Sequence, residues 1–159
     1  MRHPRDKKGM SPVELLIATA VIGGMALIAV IFIDRTLAFK KVNDINRFND
    51  VQLIMGSLLL YQIDTAGKIP SGIDDEESTW QMIGLRGQVC TDICPNKKVA
   101  TNCAYLDELL PEYLENLPQD EYFTQLGPTG YYVNKKVRDN IITVGACYTE
   151  IEPYIEIKQ

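Results

Sequence analysis

The sequence predicts an α+β fold in which one long N-terminal helix, membrane-spanning in its first half, packs on a small C-terminal antiparallel β-sheet. Residues 15–33 form a run of 19 uncharged, mostly apolar residues. Residues 34–63 continue with apolar and polar side chains alternating at helical spacing. Residues 131–157 carry three short β-branched and aromatic segments separated by turn residues. These three observations together predict the fold class.

The charges are segregated along the 159 residues, although the net charge is only -5. Residues 1–9 are basic and the remainder is acidic, a distribution typical of a membrane-anchored chain whose basic end lies inside. An acidic body argues against binding of nucleic acid, because phosphate binding needs a basic surface. His3 is the single histidine, so histidine-based triads and most catalytic zinc sites are excluded from the body.

The uncharged run predicts a membrane-spanning helix. At about 1.5 Å per residue it extends about 28 Å, close to the thickness of the hydrocarbon core of a bilayer. The alternative is a cleaved secretory signal peptide, whose apolar core is shorter and is followed by a cleavage site of small residues. The run here is longer and continues into a helical pattern without a break, which favours a span retained in the mature chain.

One acid, Glu14, lies immediately before the apolar run, where a carboxylate is costly without a positive partner. It belongs to the string KKGMSPVELLIA, in which Gly9 and Met10 follow two lysines and Glu14 is the fifth residue after Gly9. This string resembles the processing site of type IV pilins and pseudopilins. The resemblance implies cleavage between Gly9 and Met10 by a prepilin peptidase and N-methylation of the new Met10 amine. It also implies a salt bridge between Glu14 and the Met10 amine of a neighbouring subunit, since each buried charge needs the other.

The same resemblance implies a division of the chain and a set of partners. Residues 1–9 would be a cleaved leader, 10–33 the transmembrane and filament-core helix, 34–63 an amphipathic half-helix, and 64–159 the head of a pilin-like ladle. The implied partners are the membrane, the peptidase, a pilus assembly platform with its ATPase, and other copies in a homopolymeric helical filament. The chain would lie in the cytoplasmic membrane with its N-terminus inside and its head outside, and after assembly in an extracellular filament.

The helix is predicted to run from about Ser11 to Ile63 and to end before Gly67 and Pro70. Its ending, LLLYQIDTAGKIP, is also similar to that of pilins and major pseudopilins. One apolar stripe on the second half is expected to cover the sheet. Its members are Ala38, Val42, Ile45, Phe48, Gln52, Met55, Leu59 and Gln62. The alternative is two helices with a hinge at residues 34–35.

The head is predicted to contain a loop, short helices and a three-stranded antiparallel meander. The acidic run 74–77 is expected to be a solvated loop; the alternative is a Ca²⁺ site, but adjacent acids lack the alternate spacing of an oxygen cage. Apolar residues within 80–85 and 106–110 predict two short helices. The predicted strands are 131–133, 141–144 and 154–157.

All four cysteines lie in the head, and they are expected to form disulfides. A head outside the membrane is in an oxidising compartment, and the spacing lacks the C-x-x-C pairs usual in zinc sites. Four cysteines allow three pairings. The preferred pairing is Cys103 with Cys147 and Cys90 with Cys94. The alternative is Cys90 with Cys103 and Cys94 with Cys147.

These features predict a structural subunit of a type IV pilus or pilus-like filament. The alternatives are a type II secretion pseudopilin or minor pilin, a stand-alone membrane-anchored extracellular binding module, and an anchored enzyme. The enzyme is disfavoured because no nucleophile–base pair or phosphate-binding loop is recognisable. No cofactor, metal site or nucleic-acid partner is predicted.

Overall fold

The computed structural model describes residues 11–90, 94–95, 97–123 and 127–159, with the backbone alone at 31–34. The chain divides into two compact units, Met1–Phe39 and Lys40–Gln159. The first unit contributes the beginning of the long helix, and the second contains the rest of it together with the sheet. The predicted cleavage site, Gly9 and Met10, lies outside the described residues.

The long helix, α1, extends over the 53 residues Pro12–Asp64, which confirms the prediction of a single long helix. Proline is accepted at the first helical position because its missing N–H has no partner there in any helix. The helix ends where Ala66 and Gly67 adopt positive φ angles of 56° and 86°. The Gly67 N–H then donates to the Gln62 carbonyl at 2.7 Å and satisfies one of the last free carbonyl groups.

The face that α1 buries differs from the predicted stripe. The buried side chains are Asp44, Arg47, Val51, Ile54, Met55, Ser57 and Leu58. Of the eight residues in the predicted stripe only Met55 is fully buried, whereas Ile45 and Phe48 remain 49% and 44% exposed. The prediction of this stripe was wrong because Asp44 and Arg47 are held inside by ion pairs and hydrogen bonds to head loops. Those contacts bury the face of α1 that contains Asp44 and Arg47 and leave the apolar face with Ile45 and Phe48 exposed.

The sheet has five strands in the order β2-β1-β3-β4-β5. The strands are β1 Gln81–Gly84, β2 Ala104–Tyr105, β3 Tyr131–Lys136, β4 Ile141–Ala146 and β5 Glu156–Lys158. The three predicted strands are present as β3, β4 and β5, and they pair antiparallel. The first two strands were not predicted, and they pair parallel to each other. The sheet is therefore mixed and not antiparallel throughout.

Both predicted short helices of the head are corrected by the structure. Residues 80–85 contain strand β1, whose four residues are all buried. A strand buried on both faces lacks the polar–apolar alternation that identifies strands in a sequence. The segment 106–110 contains only a single 3₁₀ turn, Asp107–Leu109, and a second such turn covers Glu121–Phe123.

The sheet separates two buried clusters within the second unit. Side chains of alternate residues point to opposite faces of a strand. Tyr131 and Val133 therefore contact the cluster that contains Val51, Ile54 and Leu58 of α1. Tyr132 contacts the other cluster, which contains Met82, Phe123 and the four cysteines. This arrangement fixes both the packing face of α1 and the place of the disulfides.

Candidate functional site

Glu14 lies in the first turn of α1, where a negative charge is favoured by the free N–H groups and the helix dipole. Its Oε2 accepts a hydrogen bond from the Ser11 backbone N–H at 3.1 Å. Within the described part of the chain, Glu14 forms no ion pair. The structure thus gives Glu14 a local hydrogen bond and, among residues 11–90, 94–95, 97–123 and 127–159, no cationic partner. Its predicted partner, Met10, lies outside the described residues.

Residues 13–30 of α1 present apolar side chains to the outside on every side of the helix. Leu15, Leu16 and Ile22 are 57%, 70% and 67% exposed. Thr19, the one hydroxyl residue in this stretch, donates to the carbonyls of Leu15 and Leu16 at 3.0 Å and so satisfies its own polar group. By length and composition, α1 is the one helix among the described residues that is able to cross a membrane. Its most apolar stretch is unburied, as in an anchor or a signal sequence and unlike the core helix of a soluble protein.

Arg47 is the centre of a buried charge cluster that the sequence analysis missed. Its Nε donates to Asp120 Oδ2 at 2.5 Å, and its Nη1 lies 3.0 Å from Asp44 Oδ1 and 3.5 Å from Glu150 Oε1. The guanidinium also lies 5.0 Å from the centroid of the Tyr148 ring. Burial alone lowers the pKa of Arg47, but the hydrogen bond and charge of Asp120 outweigh it and raise the pKa. Arg47 is therefore cationic and fixes α1 to two separate head loops.

Asp44 binds the loop that precedes β5. Its carboxylate accepts backbone N–H groups from Glu150 at 2.9 Å, Ile151 at 2.8 Å and Glu152 at 3.0 Å. Burial alone raises the pKa of Asp44, but these backbone donors and Arg47 outweigh it, so the pKa lies below its ordinary value. The ionised carboxylate is thus the stable form in the fold. The sequence offered one signal for this cluster, an acid and an arginine three residues apart on one helix face.

Asp50 lies on the same side of α1, but its surroundings stabilise the ionised carboxylate less than those of Asp44 do. It accepts a hydrogen bond from the Tyr131 hydroxyl at 2.5 Å. Burial raises the pKa of Asp50, the Tyr131 hydrogen bond lowers it, and the nearby charge of Asp120 raises it, with a net shift upward. The fold therefore favours the protonated form of Asp50 more than water does.

The two disulfides join Cys90 to Cys103 and Cys94 to Cys147, with Cα–Cα distances of 5.2 and 4.8 Å. The prediction that the cysteines form disulfides is confirmed, but the preferred pairing was wrong and the alternative pairing is present. Cys103 directly precedes β2, and Cys90 follows the turn after β1, so the unpredicted parallel pairing of β1 and β2 places these two cysteines side by side.

The acidic run 74–77 is engaged by head residues. The Asp75 carboxylate binds Lys135 Nζ at 2.5 Å, and the Glu76 carboxylate accepts the Ser78 hydroxyl at 2.6 Å. Glu77 accepts the Arg138 backbone N–H at 3.3 Å. Among the described residues, no group of three or more His, Cys, Asp or Glu side chains is arranged to hold a metal ion.

Comparison of the chain with protein-family models, with curated proteins and with solved structures gives no significant match. The function is therefore inferred from the residues of the chain itself.

Proposed function

We propose that the chain is the structural subunit of a type IV pilus or pilus-like filament, assembled through the apolar first half of α1. The observation that carries this proposal is Glu14. It stands at the start of an exposed apolar helix, it forms no ion pair among the described residues, and it occupies the fifth position after Gly9. A passive anchor has no need of an acid at this place.

The energetics of burial support a second subunit as the source of a cation for Glu14. Removing a carboxylate from water costs several kcal/mol unless a positive group and hydrogen bonds compensate it. Cleavage between Gly9 and Met10 would create an α-amine four residues before Glu14. The Ser11 N–H already occupies one oxygen of the carboxylate, which leaves the other oxygen for a cation from a neighbouring chain.

The head supports the proposed orientation. Four cysteines in two disulfides are typical of an oxidising compartment outside the cytoplasm. The basic residues of 1–9 would remain inside, according to the positive-inside rule. In this proposal the prepilin peptidase removes the leader, the assembly platform and its ATPase extract the subunit from the membrane, and copies polymerise.

The decisive experiment replaces Glu14 by valine in the full chain, expressed in a host with the filament machinery. Glu14→Val is expected to enter the membrane and to be processed at wild-type levels, because the change makes the span more apolar. It is expected to be lost from sheared surface filaments. The measurements are the membrane level by immunoblot, the N-terminal mass, and the subunit content of the sheared fraction.

Thr19→Val is the matched control. It also makes the apolar segment less polar, but it removes only a hydroxyl that binds its own helix. This variant is expected to assemble like the wild type. Normal filaments from Glu14→Val would refute the inter-subunit salt bridge and make Glu14 an interfacial acid.

Processing is tested separately with Gly9→Val, because a side chain at that position is expected to block the peptidase cleft. The variant is expected to stay in the membrane at full length. Mature filaments of the wild type are expected to begin at an N-methylated Met10. An intact Met1 in assembled filaments would contradict the pilin proposal and favour a membrane-anchored binding module.

A further inference from the structure

An open groove lies between α1 and the segment that leads into β5. It has a volume of about 500 Å³. Apolar side chains from both elements line it, namely Ile45, Phe48, Ile151, Tyr154 and Ile155. Four of these five are exposed, with Tyr154 at 66%. Four charged residues also line the groove. Lys41 on the helix and Glu152 on the loop are exposed, whereas Asp44 and Glu156 bind groups of the same subunit.

The groove contains part of the apolar stripe that the sequence predicts to be covered. The head does not cover it, because Asp44 and Arg47 hold the adjacent face of α1 inside. A continuous exposed patch of aromatic and aliphatic side chains, bordered by charges, is typical of a protein-binding surface. What covers it has to present both an apolar group and charges of both signs.

The turn between β3 and β4 presents an apolar side chain together with charges of both signs. Val137 is 49% exposed, and the exposed residues Lys136, Arg138 and Asp139 flank it. Within the described part of the chain, the side chains of Lys136 and Arg138 form no ion pair. The hydrogen bond from the Arg138 N–H to Glu77 holds the backbone of the turn. Residues 40–159 contain 11 basic and 18 acidic residues, so the basic side chains of this turn lie on a head that is acidic as a whole.

We propose that the β3–β4 turn of one copy docks into this groove of a second copy, an inference that rests on the proposed filament function. Val137 would enter the apolar part of the groove, between Ile45 and Phe48 on one side and Ile151 on the other. Arg138 would meet Glu152, and Asp139 would meet Lys41. The two exposed charges of the groove then each meet an opposite charge on the turn.

The positions of the two surfaces favour a repeating contact. Residues 137–140 follow the pair Lys136–Ile141 at one end of the β3–β4 ladder. The groove adjoins Ile155, whose carbonyl accepts the Ala146 N–H at the other end. The two surfaces are therefore separated by the length of β4, about 17 Å at 3.4 Å per residue. A contact between different surfaces at opposite ends is heterologous, and it produces open chains of subunits unless the rotation closes a ring.

Cysteine cross-linking in assembled filaments tests this contact directly. The four native cysteines are paired, so the introduced thiols are the reactive ones. A chain that carries both Phe48→Cys and Val137→Cys is expected to give a ladder of cross-linked multimers after mild oxidation. A mixture of the two single variants is expected to give dimers only. Leu53→Cys with Val137→Cys is the matched control, because Leu53 is 51% exposed on the same helix but outside the groove, and it is expected to remain monomeric.

Charge reversal of the proposed ion pair between Glu152 and Arg138 provides a second test, because neither residue is one of the two cysteine positions. Glu152→Arg and Arg138→Glu, each added to the double-cysteine chain, are expected to lower the cross-linked fraction about two- to fivefold, which is the usual effect of an exposed ion pair. The two reversals together are expected to restore it. Restoration distinguishes a direct pair from a general loss of folding.

The outcomes separate this inference from the proposed function. Filaments that form normally without a ladder between positions 48 and 137 would overturn the docking contact and leave the filament proposal intact. Cross-linking of Phe48→Cys to itself at the same level as to Val137→Cys would also overturn it, since that indicates a symmetric dimer. A wild-type chain that is never processed or polymerised would overturn both proposals.

Discussion

Replacement of Arg47 by methionine is the most direct test of what fixes α1 to the head. The change keeps most of the side-chain volume and removes the guanidinium. Asp44 retains three backbone donors, and Glu150 retains the Asn43 amide at 2.7 Å. Asp120 is affected most, because its side chain is only 1% exposed and, among the residues that the structure describes, keeps only the Tyr122 N–H at 2.8 Å.

The expected loss follows from this geometry. Removing one partner of a buried ion pair leaves an uncompensated charge and typically costs about 3–5 kcal/mol of unfolding free energy. Arg86→Met is the matched control, because Arg86 also pairs with an aspartate, Asp107, but its side chain is 80% exposed. An exposed pair contributes about 0–1 kcal/mol. The two variants are therefore expected to differ by at least about 2 kcal/mol.

The assay is urea unfolding of the full chain in detergent micelles, followed by fluorescence of Trp80, the single tryptophan. Trp80 contacts Tyr132 at a ring-centroid distance of 5.0 Å, so its signal reports on the head. A second variant, Arg47→Met with Asp120→Leu, removes the orphaned charge and is expected to be more stable than Arg47→Met alone. Equal stability of Arg47→Met and Arg86→Met would refute the reasoning, since the buried cluster would then contribute no more than a surface pair.

The remaining predictions concern the head. Asp50→Asn is expected to unfold at a higher temperature than the wild type at pH 7, because a raised carboxyl pKa means that ionisation destabilises the fold. The difference is expected to shrink as the pH falls through the pKa of Asp50, and a constant difference in thermal scans from pH 7 to pH 3 would contradict this. Peptide mapping without reductant is expected to give the pairs Cys90–Cys103 and Cys94–Cys147 and no free thiol. Any other pairing would contradict this prediction.

Local patterns in the sequence were sufficient for several elements. The 19 uncharged residues of 15–33 predict an apolar helix, because a run of this length without a charge is long enough to cross a bilayer as a helix. Strands β3, β4 and β5 follow from β-branched and aromatic segments bounded by turn residues. The end of α1 follows from Gly67 and Pro70, since glycine accepts the left-handed conformation that terminates a helix. Each of these depends on neighbours close in the chain.

Tertiary structure alone decided which face of α1 is buried. Both the Ile45–Phe48 stripe and the Val51–Leu58 stripe are apolar enough to cover a sheet. The ion pairs of Arg47 hold the second of these faces against the head. Its carboxylate partners, Asp120 and Glu150, lie 73 and 103 residues further along the chain. No pattern within one helix contains that information, because the compensation of a buried charge depends on groups that only folding brings together.

The disulfide pairing was decided in the same way. Spacing alone left three pairings, and a short loop between Cys90 and Cys94 was as acceptable as the observed bridges. The selection depends on strand β1, which is buried on both faces and so carries no alternation in the sequence. The parallel pairing of β1 with the two-residue strand β2 brings Cys90 and Cys103 within 5.2 Å between Cα atoms. The placement and spacing of the cysteines in the sequence thus predicted that they are oxidised, and the register of a strand pair determined which of them are joined.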